Sequence, residues 1–181
     1  MIQLQIQFGQ RKGRVLQYPA VPGLRPTLAR SRDVLFNWVQ KLSDFTCLDA
    51  FAGTGILGLQ ALCLGAKHVD FIETQAILTQ HIDQNLQKMD LKNQSTVYTG
   101  TASDAVKKLT HGFDMLFLDP PFEQISLASD LWNELVKKGL INKECLIYLE
   151  IPKNAVLSLP HTTQLKHKQI GDVWIYLLQY C

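Results

Sequence analysis

Residues 47–58, CLDAFAGTGILG, end a short apolar run at Asp49 and place Gly53, Gly55 and Gly58 in a strand-to-helix turn. Glycines suit such a turn because it needs backbone angles closed to other residues. The missing side chain also lets main-chain N–H groups approach a bound nucleotide. The same spacing fits the G-x-G-x-x-G loop of dinucleotide-binding folds, and Glu73 stands twenty residues after Gly53, where that loop expects an acid. Taken alone, the loop does not separate a dinucleotide from S-adenosylmethionine.

Two features separate them. Asp49, four positions before the first glycine, is placed at the mouth of the pocket, whereas a dinucleotide loop starts directly from an apolar strand. The second is Asp119, Pro120, Pro121 and Phe122 at the end of another apolar run, MLFL. Two prolines remove two N–H donors and fix the backbone, so a carbonyl is held rigidly toward a ligand. The aromatic that follows offers a flat face for a flipped base. A lone glycine loop is a weak signal and a Pro-Pro pair is often only a stiff turn. Their conjunction, in this order, describes a methyl-donor pocket and a wall for a target amino group.

These residues need a sheet to bring them together. From residue 46 onward, short apolar runs alternate with amphipathic stretches, the pattern of a doubly wound α/β fold. The strands are expected at 46–51, 68–73, 95–99, 113–118, 145–150, 164–169 and 173–179, and the helices at 56–64, 75–89, 101–110 and 127–138. Gly171 and Asp172 form the turn between the last two strands, which favours an antiparallel hairpin. The expected fold is therefore Rossmann-like, a class I S-adenosylmethionine-dependent methyltransferase with seven mostly parallel strands and a C-terminal antiparallel hairpin. Ligands in such sheets bind at the carboxyl ends of the strands, where both motifs lie.

Ahead of this domain, residues 2–18 alternate loosely around Gly9 and Gly13 and read as a small hairpin outside it. PGLRPT then breaks regular structure, and Thr27 is placed to cap a helix from 28 to 42, with Val34, Leu35, Trp38, Val39 and Leu42 on its apolar stripe. Arg30 and Arg32 fall off that stripe, open to a ligand or to water. The division expected is a basic arm over 1–26 and the methyltransferase domain over 27–181.

At 181 residues and 46% hydrophobic, the chain suffices for one well-packed domain, which leaves no place for the separate substrate domain of a dehydrogenase. It has no apolar run of membrane-spanning length and no signal peptide, so a cytoplasmic location is expected. Cys47, Cys63, Cys145 and Cys181 have no metal-ligand or disulfide spacing, and His68, His81, His111, His161 and His167 are scattered without a role. No exposed apolar stripe demands a partner, and a monomer is expected.

The net charge is only +2, but residues 1–32 hold Arg11, Lys12, Arg14, Arg25, Arg30 and Arg32 and no acid, leaving minus 4 for the other 149 residues. Such an arm reads as a phosphate-tracking surface for nucleic acid, against the alternative of a solvated basic face.

GRVL, PGLRPT followed by SRDVLFNW, LDAFAGTGILGLQAL, FIET and LDPPF together resemble the RsmD-type methyltransferases, across essentially the whole chain. PGLRPT with LFNW is the more specific marker. The chain departs from the family pattern at Phe8-Gly9, where two glycines are usual, at Asp33, where Glu is usual, and at Thr101, where Asn or Asp often stands.

The resemblance implies methyl transfer from S-adenosylmethionine to the exocyclic N2 of a guanine in small-subunit (16S) ribosomal RNA, free or in a subunit or its assembly intermediate. It implies that Glu73 accepts the ribose hydroxyls. Phe51, Gly53 and Gly55 would line the methionine end, and Asp49 would orient the loop or meet the ammonium. The adenine edge falls to the turn at Thr101 and Ala102, with Asp104 the nearest acid. Asp119 and Pro120 would accept hydrogen bonds from the target amino group, Phe122 would stack on the base, and the six basic residues of the arm would hold RNA. Competing readings are an amino acceptor of another kind, adenine N6 or a protein glutamine, and a non-catalytic S-adenosylmethionine-binding RNA scaffold.

Overall fold

Seven segments, six of them mainly buried or half-buried and the outermost polar, become the strands of one sheet in the computed structural model, which describes residues 2–19, 21 and 28–181. Parallel strands alternate with helices: β3 (Thr46–Asp49), α2 (Ile56–Cys63), β4 (His68–Glu73), α3 (Ala76–Lys88), β5 (Ser95–Thr99), α4 (Ala102–Val106), β6 (Phe113–Leu118), α5 (Ser126–Lys137) and β7 (Ile141–Pro152). The chain then turns back through β8 (Thr162–Ile170) and β9 (Val173–Tyr180). The spatial order is β5-β4-β3-β6-β7-β9-β8, with β9 antiparallel to both β7 and β8. Strand order reverses between β3 and β6, so a crevice opens at their carboxyl ends.

Both faces of the sheet are covered. α2 and α3 pack on one face with α1 (Ala29–Val39), around Leu35, Phe36, Ile82 and Phe117. α4 and α5 cover the other, around Val106, Leu131, Trp132 and Ile147. β3, β4 and β6 bury nearly every residue, as strands sandwiched on both sides must, which is why they read as mainly apolar runs, interrupted by Asp70 in β4 and Asp114 in β6. No helix among the described residues is long and apolar enough to cross a membrane.

Three expectations change. α4 stops at Val106 instead of running to residue 110, because Lys108 and Leu109 donate to the carbonyls of Ala105 and Val106, tightening the chain so that Leu109 turns into the core. α1 ends at Val39, where Gln40 takes a φ of +58° and the chain leaves the helix before burying Leu42. The expected cap of α1 at Thr27 lies outside the described residues.

The third change concerns the amino-terminal hairpin, β1 (Ile2–Gln5) with β2 (Val15–Tyr18). It forms its own two-stranded sheet, yet Ile6, Leu16 and Tyr18 are buried in the same core as α1, α2 and α3. The buried Gln60 side chain of α2 clamps it: its Oε1 accepts the N–H groups of Gln7 and Phe8 at 2.8 and 3.2 Å, and its Nε2 donates to the Phe8 carbonyl at 2.8 Å. Gly9, at φ +79°, lies against the Cys63 carbonyl so closely that a Cβ would fall on that oxygen. The hairpin is thus fastened to the domain, not hung outside it.

At the far side, β8 is the outermost strand and all but its two ends are exposed. Its pairing with β9 slips between Gln164 and Lys166.

Candidate active site

One cavity of about 650 Å³ lies at the carboxyl ends of the parallel strands, within the ~300–1,000 Å³ usual for small-ligand sites. Ala50 to Thr54, Glu73, the turn at Thr101 and Ala102, Asp119 to Phe122 and the first half of α5 line it. Both motifs therefore share one space.

The glycine loop leaves β3 and enters α2 at Gly55, whose φ of +71° is left-handed and whose Cβ would press into Ile82. Gly55 stands behind the wall; of the loop's first two glycines, Gly53 lines the cavity. Asp49 is also behind it. At 2% exposure, its Oδ2 accepts the Gly58 N–H at 2.9 Å, satisfying an otherwise orphaned donor in the first turn of α2. Burial pushes the Asp49 carboxyl up to about 7, the Gly58 bond pulling it down and the Glu73 charge adding to the rise. Of the two roles expected for Asp49, this geometry favours orienting the loop.

Glu73, the last residue of β4, is only 8% exposed. Its Oε2 accepts the Gly53 N–H at 2.8 Å, and its Oε1 accepts the Gln75 N–H at 2.8 Å and the Thr74 hydroxyl at 3.1 Å. A carboxylate offers about four lone-pair sites, so Glu73 ties the loop to the strand and still has capacity for a ligand hydroxyl.

In the turn after β5, Thr101 caps α4. Its hydroxyl oxygen accepts the Asp104 N–H at 3.2 Å, and the hydroxyl donates to Asp104 Oδ2 at 2.8 Å. Asp104 is exposed, sits outside the lining, and is held below the usual carboxylate range by Lys107 and then Thr101. Thr101 and Ala102, not Asp104, are thus the groups facing the cavity at this turn.

The opposite wall begins where β6 ends. Asp119, Pro120, Pro121 and Phe122 all line it, Pro120 buried and Phe122 half-buried against the core. Sequence reasoning missed Glu150, which lines the same wall at 3% exposure. The signal was present: CLIYLE brings an apolar run to a carboxylate, as MLFLD does.

The charge of the cavity is one-sided. Glu73, Asp119, Glu123, Asp130, Glu134 and Glu150 line it, and among the described residues no Lys, Arg or His does. A dinucleotide would bring its pyrophosphate into six carboxylates. A donor carrying a sulfonium and an ammonium, and a target presenting amino protons, meet complementary charge instead.

The basic residues lie elsewhere. Lys12 and Arg14 are exposed at the hairpin tip, and Arg30 is exposed at the start of α1. Arg11 is half-buried and its Nε donates to the Met89 carbonyl at 2.7 Å, placing a cation at the C-terminal end of α3. Arg32 corrects the sequence reading: it is 3% exposed, because α1 packs on the hairpin as well as the sheet, and Tyr18 and Asp33 are its electrostatic neighbours. Arg32 is therefore not an open RNA contact. Arg25 lies outside the described residues.

Known proteins resemble this chain in sequence and fold. The family model "Conserved hypothetical protein 95" matches residues 4–179. "Ribosomal RNA small subunit methyltransferase D" of Escherichia coli strain K12 is 35% identical over 97% of this chain and 89% of its own. The protein of that name from Haemophilus influenzae is 35% identical over 98% of this chain and 94% of its own. Among solved structures, "Putative methyltransferase yhhF" from Escherichia coli superposes with a TM-score of 0.88 at 31% identity, covering 98% of both chains. The fold is that of a class I methyltransferase, and the chain belongs to the Conserved hypothetical protein 95 family, the RsmD-type methyltransferases.

Proposed function

We propose that this chain transfers a methyl group from S-adenosylmethionine to the exocyclic N2 of a guanine in small-subunit ribosomal RNA. The observation that carries the reading is the shared acidic cavity, with the glycine loop and Glu73 on one wall and Asp119 to Phe122 on the other. The names of the similar ribosomal RNA methyltransferases support the substrate.

S-adenosylmethionine supplies an electrophilic methyl on a positively charged sulfur. Glu73 takes its ribose hydroxyls, Phe51 and Gly53 hold its methionine end, Asp49 and Gly55 hold the loop in shape, and Thr101 and Ala102 bound its adenine. The guanine amino nitrogen is a poor nucleophile because its lone pair is delocalised into the ring. Asp119 and the Pro120 carbonyl accept its two protons, which favours a pyramidal nitrogen and steadies the positive charge that develops on attack. The bound donor would supply the methyl and retain the C–S bonding pair on sulfur, and Asp119, holding the amino group, would be placed to pass its surplus proton to water. Phe122 stacks on the extruded base. Most of the acceleration comes from in-line alignment in the pocket.

Lys12, Arg14 and Arg30 contact the RNA backbone, with residues 1–26 serving as the arm. The protein acts as a monomer in the cytoplasm, on a subunit or assembly intermediate recognised chiefly by shape. The test is incubation with methyl-labelled S-adenosylmethionine and small ribosomal subunits from a strain lacking this chain, then nucleoside analysis. Label in N2-methylguanosine is expected; label in another nucleoside, or none despite cofactor binding, would overturn the reading.

A further inference from the structure

We infer that Glu150 reads the Watson–Crick edge of the base in the cavity, accepting the N1–H of guanine and rejecting bases that present an acceptor there. This rests on the reading of the substrate as guanine.

The parallel register pairs Leu118 with Leu149, so the next residues, Asp119 just past the end of β6 and Glu150 two residues before the end of β7, fall side by side. Both line the cavity. Two residues back from each, Phe117 and Tyr148 share one core on the α1 side of the sheet, so strand alternation sends both carboxylates to the same face. A buried carboxylate at 3% exposure is costly unless its oxygens are satisfied. One partner is built in: the fully buried Tyr148 hydroxyl donates to Glu150 Oε2 at 2.6 Å. Burial foremost, and then the charges of Glu150 and Asp119, hold the Tyr148 phenol well above its ordinary pKa, so it remains a donor. Tyr148 thereby fixes the orientation of Glu150, and a carboxylate's several lone pairs let it accept from a ligand as well.

Two adjacent acceptors match one purine edge. In guanine the N2 amino group adjoins N1–H, a run of donors that Asp119 and Glu150 meet together. In adenine the amino group adjoins an unprotonated N1, whose lone pair would face the Glu150 carboxylate. Sites built around a hydrogen-bonding group discriminate strongly because the mismatched partner leaves a buried polar group unpaired.

2-Aminopurine separates these elements: it keeps the N2 amino group but carries an acceptor at N1. Small subunits would be reconstituted on ribosomal RNA ligated to carry guanine or 2-aminopurine at the methylated position. The wild type, Glu150→Gln and Glu150→Asp would then be compared for kcat/KM on both, with S-adenosylmethionine affinity and unfolding midpoint as controls. The wild type should prefer guanine. Glu150→Gln, whose amide can donate to the N1 acceptor, should lose about 10- to 100-fold on guanine but not on 2-aminopurine, in the range of a bidentate base contact. Glu150→Asp, which keeps the carboxylate, should keep the guanine preference even if it turns over more slowly. Equal losses on both bases for Glu150→Gln, or weakened cofactor binding with an unchanged base ratio, would overturn the inference. So would loss of the guanine preference in Glu150→Asp. Absence of N2-methylguanosine from the wild type on guanine subunits would instead remove the substrate reading, and the inference with it.

Discussion

Asp119 and Glu73 stand on opposite walls of one cavity and their losses should look different. Asp119→Ala removes an acceptor that matters most as charge develops, so kcat should fall about 100- to 1,000-fold with cofactor affinity nearly unchanged. A rapid-quench assay showing near-normal turnover would discard the assigned chemistry. Glu73→Ala removes charged hydrogen bonds worth roughly 1.5–3 kcal/mol each and should weaken cofactor binding at least about tenfold by calorimetry. Asp49 makes a prediction of the opposite sign from most carboxylates. Its folded pKa is raised from 3.8 to about 7, so the native state holds a proton that the unfolded chain releases. The associated stability is fully present below the unfolded pKa and is lost as pH rises through the folded one. Comparing Asp49→Asn with the wild type from pH 4 to 7, the wild type alone should lose up to about 1.4 kcal/mol per pH unit. Parallel stability curves would show that Asp49 is not titrating in that window.

At the level of elements, α2 joins two parts of the molecule that look unrelated in the sequence. Its first turn receives the glycine loop, and its last turn carries Gln60 and the Cys63 carbonyl that fasten the hairpin. Gln60→Ala would strand two backbone donors and should lower stability by about 1–3 kcal/mol in a urea titration, with the hairpin cut early by protease. Gly9→Ala should do the same through the clash with Cys63, and an unchanged midpoint in both would mean the hairpin adds little to the fold.

None of this clamp was visible in advance, since Gln60 is a single polar letter within an apolar helix and its partners lie more than fifty residues away. Of the parallel strands, β4, β5 and β6 were readable to the residue because burial favours apolar types, while β7 starts four residues earlier and ends two later than expected, at Ile141 and Pro152. Asp119 and Glu73 were readable because each ends such a run. Arg32 was misplaced for a related reason: the apolar stripe gives α1 one packed face, and the hairpin supplies a second. Glu150 carried the same strand-end signature as Asp119 but no proline pair to draw attention to it.

Across the whole molecule, charge is sorted by position, with carboxylates inside the cavity and exposed cations on the hairpin tip and α1. Under the proposed function the cavity would repel phosphate and admit a base, while the cations of the hairpin tip and α1 would attract the backbone. Reversing Lys12, Arg14 and Arg30 together to Glu should weaken subunit binding and flatten its salt dependence, by roughly 0.7–0.9 in log–log slope for each phosphate left without its cation. An unchanged slope would take the arm out of the interface.

The outermost strand has a bearing on how the protein behaves in a crowded solution. β8 presents nine residues with no further strand of the sheet beyond them, an open template for a second copy. Lys166 and Lys168 bring like charge to that edge, and the backbone irregularity between Gln164 and Lys166 distorts it, so two copies meeting there would face mutual repulsion and an uneven ladder. Replacing both lysines with threonine should leave methyl transfer intact in dilute solution and produce concentration-dependent self-association by light scattering. The colloidal stability of the protein would then depend on two side chains at the edge farthest along the sheet from β5.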